Sequence, residues 1–273
     1  MPVWSCVVCH RSCSFRAGCG HWLILPAMWK RRCLATWAGI GLLALAPAWA
    51  IVNGTIVSEA RYAARFPWAV ALVGKESGGV CTAQLIAPDW VLTAAHCTST
   101  SMAVRVGDRD RTRARVVQVA EAIQHPRYDA KTGAWDIGLL RLAAPVAAMP
   151  VPVASVVEGR ELLREGALAV IAGWGRRATG LGHSELLVES EVALAGLRRE
   201  ESRFIFIDRA SGPCGGDSGG PLLLPRADGQ LVLAGIASRV AGDLCAAGGG
   251  ISLYSDVAAA RGFIEGHVRS LAP

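Results

Sequence analysis

The stretch from 215 to 221 reads Gly215-Gly216-Asp217-Ser218-Gly219-Gly220-Pro221. A serine between glycines is typical of a tight, exposed turn from which the hydroxyl can reach a substrate carbonyl. The glycines also let backbone N–H groups approach the oxygen that becomes negative during acyl transfer. Serine alone is a weak nucleophile, so this chemistry also needs a base and a group that orients the base. The stretch therefore predicts a nucleophilic site if a suitable histidine and acid occur elsewhere.

Both partners occur upstream of the serine. His96 lies in Thr93-Ala94-Ala95-His96-Cys97, and Asp136 begins the apolar segment Asp136-Ile137-Gly138-Leu139-Leu140-Arg141-Leu142. A carboxylate at the mouth of a buried strand is costly unless it is hydrogen-bonded, and an imidazole would satisfy it. A structural histidine and a strand-capping aspartate are the alternative interpretations. The other histidines of the body, His125, His183 and His267, lack such a context and are expected in surface loops.

The order His96, Asp136, Ser218 resembles the trypsin/chymotrypsin family of serine endopeptidases. Three further motifs carry the resemblance, which extends over nearly all of residues 51–273: Ile51-Val52-Asn53-Gly54, Ala172-Gly173-Trp174-Gly175 and Leu253-Tyr254-Ser255-Asp256-Val257. It implies an all-β fold: two six-stranded antiparallel Greek-key barrels and a C-terminal helix, with the active site in the cleft between the barrels. Barrel one would span about 51–150 and barrel two about 151–273.

The resemblance also implies a role for each residue of the site. His96 would be the general base, Asp136 would orient it, and Ser218 would form the acyl-enzyme. The N–H groups of Gly216 and Ser218 would form the oxyanion hole. The Ser238 hydroxyl would reach Asp136, and the Ser238 carbonyl would hold the substrate backbone. We expect no cofactor and no metal.

A second set of implied residues forms the primary specificity pocket. Its base is Gly212, where trypsin-like members carry the aspartate that pairs with a substrate lysine or arginine. Val240 stands where wide pockets carry glycine, and Ser252 falls on the wall. Cleavage after small or medium aliphatic residues such as alanine and valine is therefore predicted. The alternative is that Asp243, or another acid of the variable loops, restores basic specificity.

Other positions depart from the family pattern. Thr82-Ala83-Gln84 replaces the usual Gly-Gly-Ser after Cys81, and Arg239 replaces a usual tryptophan. Gly138 stands where relatives usually carry alanine, and we expect slightly looser packing there.

Cysteines divide between the first 50 residues, which hold five of the nine, and the body, which holds Cys81, Cys97, Cys214 and Cys245. Four cysteines allow three pairings, and free buried thiols are the alternative. The resemblance implies the pairs Cys81–Cys97 and Cys214–Cys245.

The first 50 residues read as a leader. Residues 28–50 combine a basic start at Lys30-Arg31-Arg32, an apolar run and the small-x-small site Ala48-Trp49-Ala50, as a cleaved signal peptide does. An uncleaved membrane anchor is the alternative. Residues 1–27 are interpreted as an upstream extension from a mis-assigned start. We expect a secreted or periplasmic protein without a stable membrane anchor.

The predicted cut falls directly before Ile51. In the family, the freed amine of this residue folds inward and pairs with the aspartate beside the catalytic serine, here Asp217. No propeptide is evident, so signal cleavage itself would produce the active N-terminus.

The distribution of charge gives no support for a nucleic-acid partner. The chain has 273 residues, 52% of them hydrophobic, and a net charge of +6, but five basic and no acidic residues lie in the first 50. The body is nearly neutral, which gives no case for nucleic-acid binding. Protein or peptide substrates, a monomer and a possible protein inhibitor are expected. A protease-like binding protein without catalysis is the alternative class.

The body reads as short β-rich runs separated by glycine, proline and aspartate. The predicted strands are 69–73, 90–92, 115–119, 168–171, 221–224 and 231–234, and apolar residues at three- and four-residue spacing predict a helix over about 257–271. The segment 143–152 is the expected linker between the barrels.

Overall fold

The computed structural model describes residues 51, 53–176, 181–198, 204–207, 212–242, 245 and 250–272. The leader, Asp243 and the predictions that rest on them lie outside these residues. The described strands are β1 (Thr55–Ile56), β2 (Ala69–Gly74), β3 (Val80–Ala87), β4 (Trp90–Thr93), β5 (Met102–Val106), β6 (Arg115–Gln124), β7 (Gly138–Leu142), β8 (Leu168–Gly173), β9 (Val188–Arg198), β10 (Phe204–Ile207), β11 (Pro221–Pro225), β12 (Leu231–Gly242) and β13 (Gly250–Asp256). The helices are α1 (Glu59–Arg65), α2 (Val156–Leu162) and α3 (Arg261–His267), with a 3₁₀ turn at Ala95–Cys97.

The first barrel closes in the strand order β2-β3-β4-β7-β6-β5, and all of its pairings are antiparallel. Its strands are rich in valine, leucine and alanine because their inward side chains fill the barrel. Leu72, Leu85, Leu92 and Leu139 are fully buried there. His96 lies in the connection from β4 to β5, and Asp136 lies in the connection from β6 to β7. Because β4 pairs with β7, both connections reach the same part of the barrel.

The second barrel follows the order β9-β10-β13-β12-β11-β8 and closes through pairing of β8 with β9, while β1 adds to the outside of β9. Its interior includes Ile171, Leu222, Val232 and Tyr254. The Ile51 side chain is also buried in this cluster. Two closed six-stranded antiparallel barrels confirm the predicted fold, and each predicted strand is present.

The C-terminal helix is confirmed but is shorter than predicted. α3 begins at Arg261 because Val257–Ala260 form a turn, in which the Ala260 N–H donates to the Val257 carbonyl at 3.1 Å. It ends at His267, and the next residue, Val268, is extended. Apolar spacing continues across both ends because Val257 and Val268 pack into the core without being helical.

Two helices, α1 and α2, were not predicted from the sequence. Ser58 caps α1 through a bond from the Arg61 N–H, and Ser155 forms a reciprocal capping box with Glu158 at the start of α2. Such caps satisfy N–H groups that the first helical turn leaves unpaired. Both helices are one to two turns long, too short for a clear apolar period. Within the described part of the chain, no helix is long and apolar enough to cross a bilayer.

The two barrels meet through hydrogen bonds and a shared apolar cluster. Val146 and Val151, in the segment that joins the barrels, donate to the Pro88 and Leu85 carbonyls of the first barrel at 2.7 and 2.9 Å. Trp174 is fully buried, and its indole N–H donates to the Arg109 carbonyl at 2.9 Å. The cluster continues from the first barrel through Trp174 and Leu223 to Ile264 of α3. This contact fixes how the loops that carry the candidate site meet.

Candidate active site

Asp136 holds His96 by two hydrogen bonds. Its Oδ1 accepts from the His96 backbone N–H at 3.0 Å, and its Oδ2 lies 2.7 Å from the ring Nδ1. The carboxylate is 2% exposed, whereas the His96 side chain is 35% exposed. A buried carboxylate next to Nδ1 favours the tautomer with the proton on that nitrogen, which leaves Nε2 as a proton acceptor.

A third bond to Asp136 comes from the second barrel. The Ser238 hydroxyl of β12 donates to Oδ2 at 2.7 Å, and this contact is buried. The carboxylate therefore receives donors from both barrels. The three predicted residues His96, Asp136 and Ser238 are brought together in one cluster.

Ser218 lies on the loop between the 212–217 turn and β11, against the first barrel. Its carbonyl accepts from the Thr82 N–H at 2.8 Å, and Cys97 Sγ lies 3.7 Å from the same oxygen. The sulfurs of Cys81 and Cys97 lie within 4.8 Å of a ring nitrogen of His96. No hydrogen bond joins the Ser218 hydroxyl to His96 among the described residues. Such bonds are commonly long until substrate binds.

The backbone around Gly216 is set up to present N–H groups. Gly216 has φ +102°, and a Cβ there would lie 2.9 Å from Gly175 Cα and also against the His183 ring. The Gly215 carbonyl accepts from the Arg176 N–H at 2.7 Å, so in a trans peptide the Gly216 N–H points the opposite way. The N–H groups of Gly216 and Ser218 donate to no acceptor among the residues that the structure describes. Two unpaired donors next to the serine can bind an oxyanion.

Asp217 is buried behind the serine. Its two oxygens accept from the Gly175 and Cys214 N–H groups at 2.7 and 2.9 Å. A Cβ at Gly173 or Gly175 would collide with this carboxyl, which explains the glycines on both sides of Trp174. Burial raises the pKa of Asp217 to about 7, although the two backbone bonds oppose that shift. No charged side chain of the described residues pairs with it.

Beside Ser218 lies a cavity of about 250 Å³. Its lining residues are Pro213, Cys214, Gly215, Ser218, Ala237, Ser238, Arg239 and Val240. Gly212 and Ser252 are not among them but adjoin each other, since a Cβ at Gly212 would lie 3.1 Å from Ser252 Oγ. Val240 lies opposite Ser252 in the pairing of β12 with β13.

The structure contains both disulfides that the resemblance implied. Cys81 and Cys97 are joined with their Cα atoms 6.3 Å apart, and Cys214 and Cys245 with theirs 5.2 Å apart. The first links β3 to the 3₁₀ turn that carries His96. The second anchors the residue that begins the serine turn. Because these sulfurs are oxidised, the Cys81, His96 and Cys97 group offers no thiolate to a metal.

None of the three histidines expected in surface loops is an exposed loop residue. His125 is 7% exposed, and its ring stacks on Trp135 at a centroid distance of 4.7 Å. Burial and Arg127 lower the pKa of His125. His183 is half-buried against Gly216, and its pKa is lowered by burial and by Arg176 and Arg111. His267 is exposed but belongs to α3. Sequence context did not reveal these positions because the packing partners are remote in the chain.

Trp135, which precedes Asp136, has a conformation that the sequence did not indicate. It adopts φ +55°, a conformation that is unusual for a bulky residue, directly before Asp136. The His125 ring and the Arg127 guanidinium, 4.4 Å from the Trp135 ring centroid, hold it. The expectation of looser packing at Gly138 is also wrong. The Thr98 methyl fills the space where a Cβ would lie.

Comparison with known proteins agrees with the two-barrel fold. The family model described as Trypsin matches residues 55–264. The chain is 30% identical over 237 residues to "Transmembrane protease serine 9" of Rattus norvegicus, covering 80% of the present chain. It spans only 22% of that relative's length. The family match covers most of the chain and includes both barrels, the buried His96–Asp136 pair and the glycine-flanked Ser218, so the chain belongs to the trypsin family of serine proteases.

Proposed function

We propose that the chain is an exported serine endopeptidase that hydrolyses peptide bonds through an acyl-enzyme on Ser218, with His96 as base and Asp136 as its orienting group. The observation that carries this proposal is the 2.7 Å contact between His96 Nδ1 and the buried Asp136 carboxylate, which keeps Nε2 free to accept a proton. Membership of the trypsin family supports serine endopeptidase activity. The roles given to His96, Asp136 and Ser218 are the part that we propose.

In the first half of the reaction, Ser218 Oγ attacks the scissile carbonyl carbon while His96 Nε2 takes the hydroxyl proton. The carbonyl oxygen becomes negative and accepts from the Gly216 and Ser218 N–H groups. The imidazolium beside Asp136 then gives its proton to the leaving amine as the carbon–nitrogen bond breaks. The acyl group remains on Ser218 as an ester.

The second half repeats the cycle with water. His96 Nε2 takes a proton from a water molecule that attacks the ester carbon, and the same N–H groups again bind the oxyanion. The proton returns to Ser218 Oγ when the ester bond breaks and the carboxylic acid leaves. Ser238 keeps Asp136 hydrogen-bonded throughout.

The proposed specificity is for small or medium aliphatic residues before the cleaved bond. None of the described residues that line the cavity carries a carboxylate, so a substrate lysine or arginine would be buried without a partner. Val240 lines this cavity and would narrow it, and Gly212, which adjoins Ser252, would bring no charge to its base.

Arg239 adds an electrostatic argument. Its guanidinium donates to the Ala130 and Lys131 carbonyls at 2.7 and 2.9 Å, and the residue lines the cavity. A cation held next to the cavity would disfavour a basic substrate side chain, although the nearby Asp129 offsets part of its charge. Basic specificity through Asp243 is the competing possibility.

Export and activation form the remaining part of the proposal. The two disulfides suit an oxidising compartment, either the periplasm or the external medium. A signal peptidase cut before Ile51 would release an amine that pairs with Asp217, and the mature domain would be residues 51–273 with barrels over about 51–150 and 151–273. The protein would then meet its protein substrates in that compartment.

The burial of Asp217 links this activation to pH. An acid whose folded pKa exceeds its unfolded value binds its proton more tightly in the native state. The stabilisation is complete below the unfolded pKa of about 3.8 and is lost as pH rises through about 7. The full shift corresponds to about 4 kcal/mol. A protonated amine next to the carboxylate would remove this loss.

The first prediction concerns the nucleophile. Ser218→Ala should lower kcat for peptide hydrolysis by about 10⁴- to 10⁶-fold, because no acyl-enzyme can form. A fluorophosphonate probe should label the protein recovered after expression of the full chain but not this variant. The exposed Ser77→Ala serves as the matched control and should keep both signals. Hydrolysis that persists in Ser218→Ala would contradict the proposal.

The second prediction concerns the pocket. Wild-type protein should hydrolyse peptides with alanine or valine before the cleaved bond faster than arginine peptides. Gly212→Asp should raise kcat/KM for arginine peptides by about tenfold or more, because the new carboxylate pairs with the guanidinium. Gly212→Asn has nearly the same shape without the charge and should give no such gain. Faster wild-type turnover of arginine peptides would refute the aliphatic preference.

The third prediction concerns Asp217. A chain with one extra residue before Ile51 should lose unfolding free energy between pH 4 and pH 7, by up to about 4 kcal/mol in denaturant titrations. A chain that begins at Ile51 should not show this loss, and Asp217→Asn should flatten it in the extended chain. If the unfolding free energy falls equally with pH in the chain that begins at Ile51 and in the extended chain that keeps Asp217, the amine does not reach Asp217.

A further inference from the structure

Three hydrogen bonds from β3 of the first barrel hold the loop of the second barrel that carries Ser218. The Thr82 N–H donates to the Ser218 carbonyl at 2.8 Å, and the Thr82 hydroxyl donates to the Gly216 carbonyl at 3.3 Å. The Gln84 amide donates to the Gly219 carbonyl at 2.6 Å. The two side-chain bonds come from positions where relatives usually carry glycine and serine.

We propose that Thr82 is a positioning residue, whose hydroxyl holds the oxyanion-binding backbone of the site in its active orientation. The proposal rests on the proposed function, because it assigns the Gly216 N–H to the oxyanion. Thr82 does not touch the substrate and acts through the Gly216 peptides.

The direction of the Thr82 hydroxyl is set by its surroundings. Thr82 is fully buried, and its Oγ1 also accepts from the Trp174 N–H at 3.3 Å. With one lone pair engaged by that N–H, the hydroxyl hydrogen is directed to the Gly216 carbonyl. The Thr82 carbonyl accepts from the Thr93 hydroxyl at 3.0 Å, so the residue is held on both sides.

Gly216 needs such support because glycine is the most flexible residue. Its φ of +102° is one of many conformations that it can adopt. The peptide before it is fixed by the Arg176 N–H on the Gly215 carbonyl at 2.7 Å. The peptide after it is fixed at one end by the Asp217 N–H, which donates to the Cys214 carbonyl at 3.0 Å. The Thr82 hydroxyl fixes the other end and so restricts both dihedral angles of Gly216.

Gln84 supports the opposite side of the serine. It is fully buried, and its Oε1 has no partner among the described residues, so the side chain contributes its N–H. The residue that it holds, Gly219, has φ +79°, and its N–H donates to the Ala237 carbonyl at 2.7 Å. Thr82 and Gln84 thus hold the residues on either side of Asp217 and Ser218 from the other barrel.

The test compares Thr82→Val, which keeps the shape but not the hydroxyl, with Thr82→Ser, which keeps the hydroxyl. Thr82→Val should lower kcat by about 10- to 100-fold and leave KM within about twofold, because the lost contact matters when the oxyanion forms. Thr82→Ser should stay within about threefold of wild type. Thr112→Val removes an exposed threonine hydroxyl bonded to Asp110 and should leave kcat unchanged.

A second readout separates positioning from general loss of structure. A peptidyl trifluoromethyl ketone forms an oxyanion adduct with a catalytic serine, whereas a cleaved peptide product does not. The inhibition constant of the ketone should rise in Thr82→Val in parallel with the fall in kcat/KM, while the product's inhibition constant stays constant. If Thr82→Val does not fold, Thr82→Ala removes the same hydroxyl and is measured in its place.

Two results overturn the proposal. A folded Thr82→Val protein with wild-type kcat would show that the hydroxyl does not position the oxyanion backbone. An equal loss in Thr82→Ser and Thr82→Val would show that the hydroxyl is not the group responsible. A wild-type protein that hydrolyses no peptide contradicts the proposed function itself, whereas an active wild type with an active Thr82→Val contradicts only the present inference.

Discussion

The buried carboxylate of Asp136 is the constraint on which the site depends. A charge at 2% exposure is tolerated only if donors replace the water that it has lost. Two donors come from His96 and one comes from Ser238. Since His96 and Ser238 belong to different barrels, the same bonds that satisfy the charge also fix the barrels relative to each other at this point.

The serine side of the cleft is held in a comparable way. The Cys81–Cys97 disulfide and the bonds from β3 hold the Ser218 loop against the first barrel. Asp217, buried behind it, is enclosed by backbone N–H groups and by glycines that leave no room for a Cβ. The candidate site is therefore built from loops of two barrels, and buried polar contacts set the positions of those loops.

Much of the fold could be predicted from the sequence. The signals were the β-rich runs, the glycine-flanked serine, and the order of His96, Asp136 and Ser218 along the chain. The fold that they indicated is confirmed. What was missed depends on contacts between remote segments. His125 does lie in a loop, but it is buried rather than at the surface because Trp135 and Phe263 pack against its ring.

The errors have the same physical origin. Apolar spacing extended the predicted C-terminal helix beyond both ends, because Val257 and Val268 are buried for tertiary reasons. Thr82 and Gln84 looked like simple departures from the family pattern, since nothing near them in the chain shows that their side chains reach Gly216 and Gly219. Gly138 looked loosely packed because the Thr98 methyl that faces it is not adjacent in sequence.

The most direct measurement is kcat/KM of Asp136→Asn on a peptide substrate, together with its thermal unfolding. Asparagine keeps the shape but can no longer favour the proton on His96 Nδ1 or stabilise the imidazolium. The account predicts a folded protein whose kcat/KM at neutral pH falls by about 10⁴-fold. A folded variant that retains activity within about tenfold of wild type would contradict it.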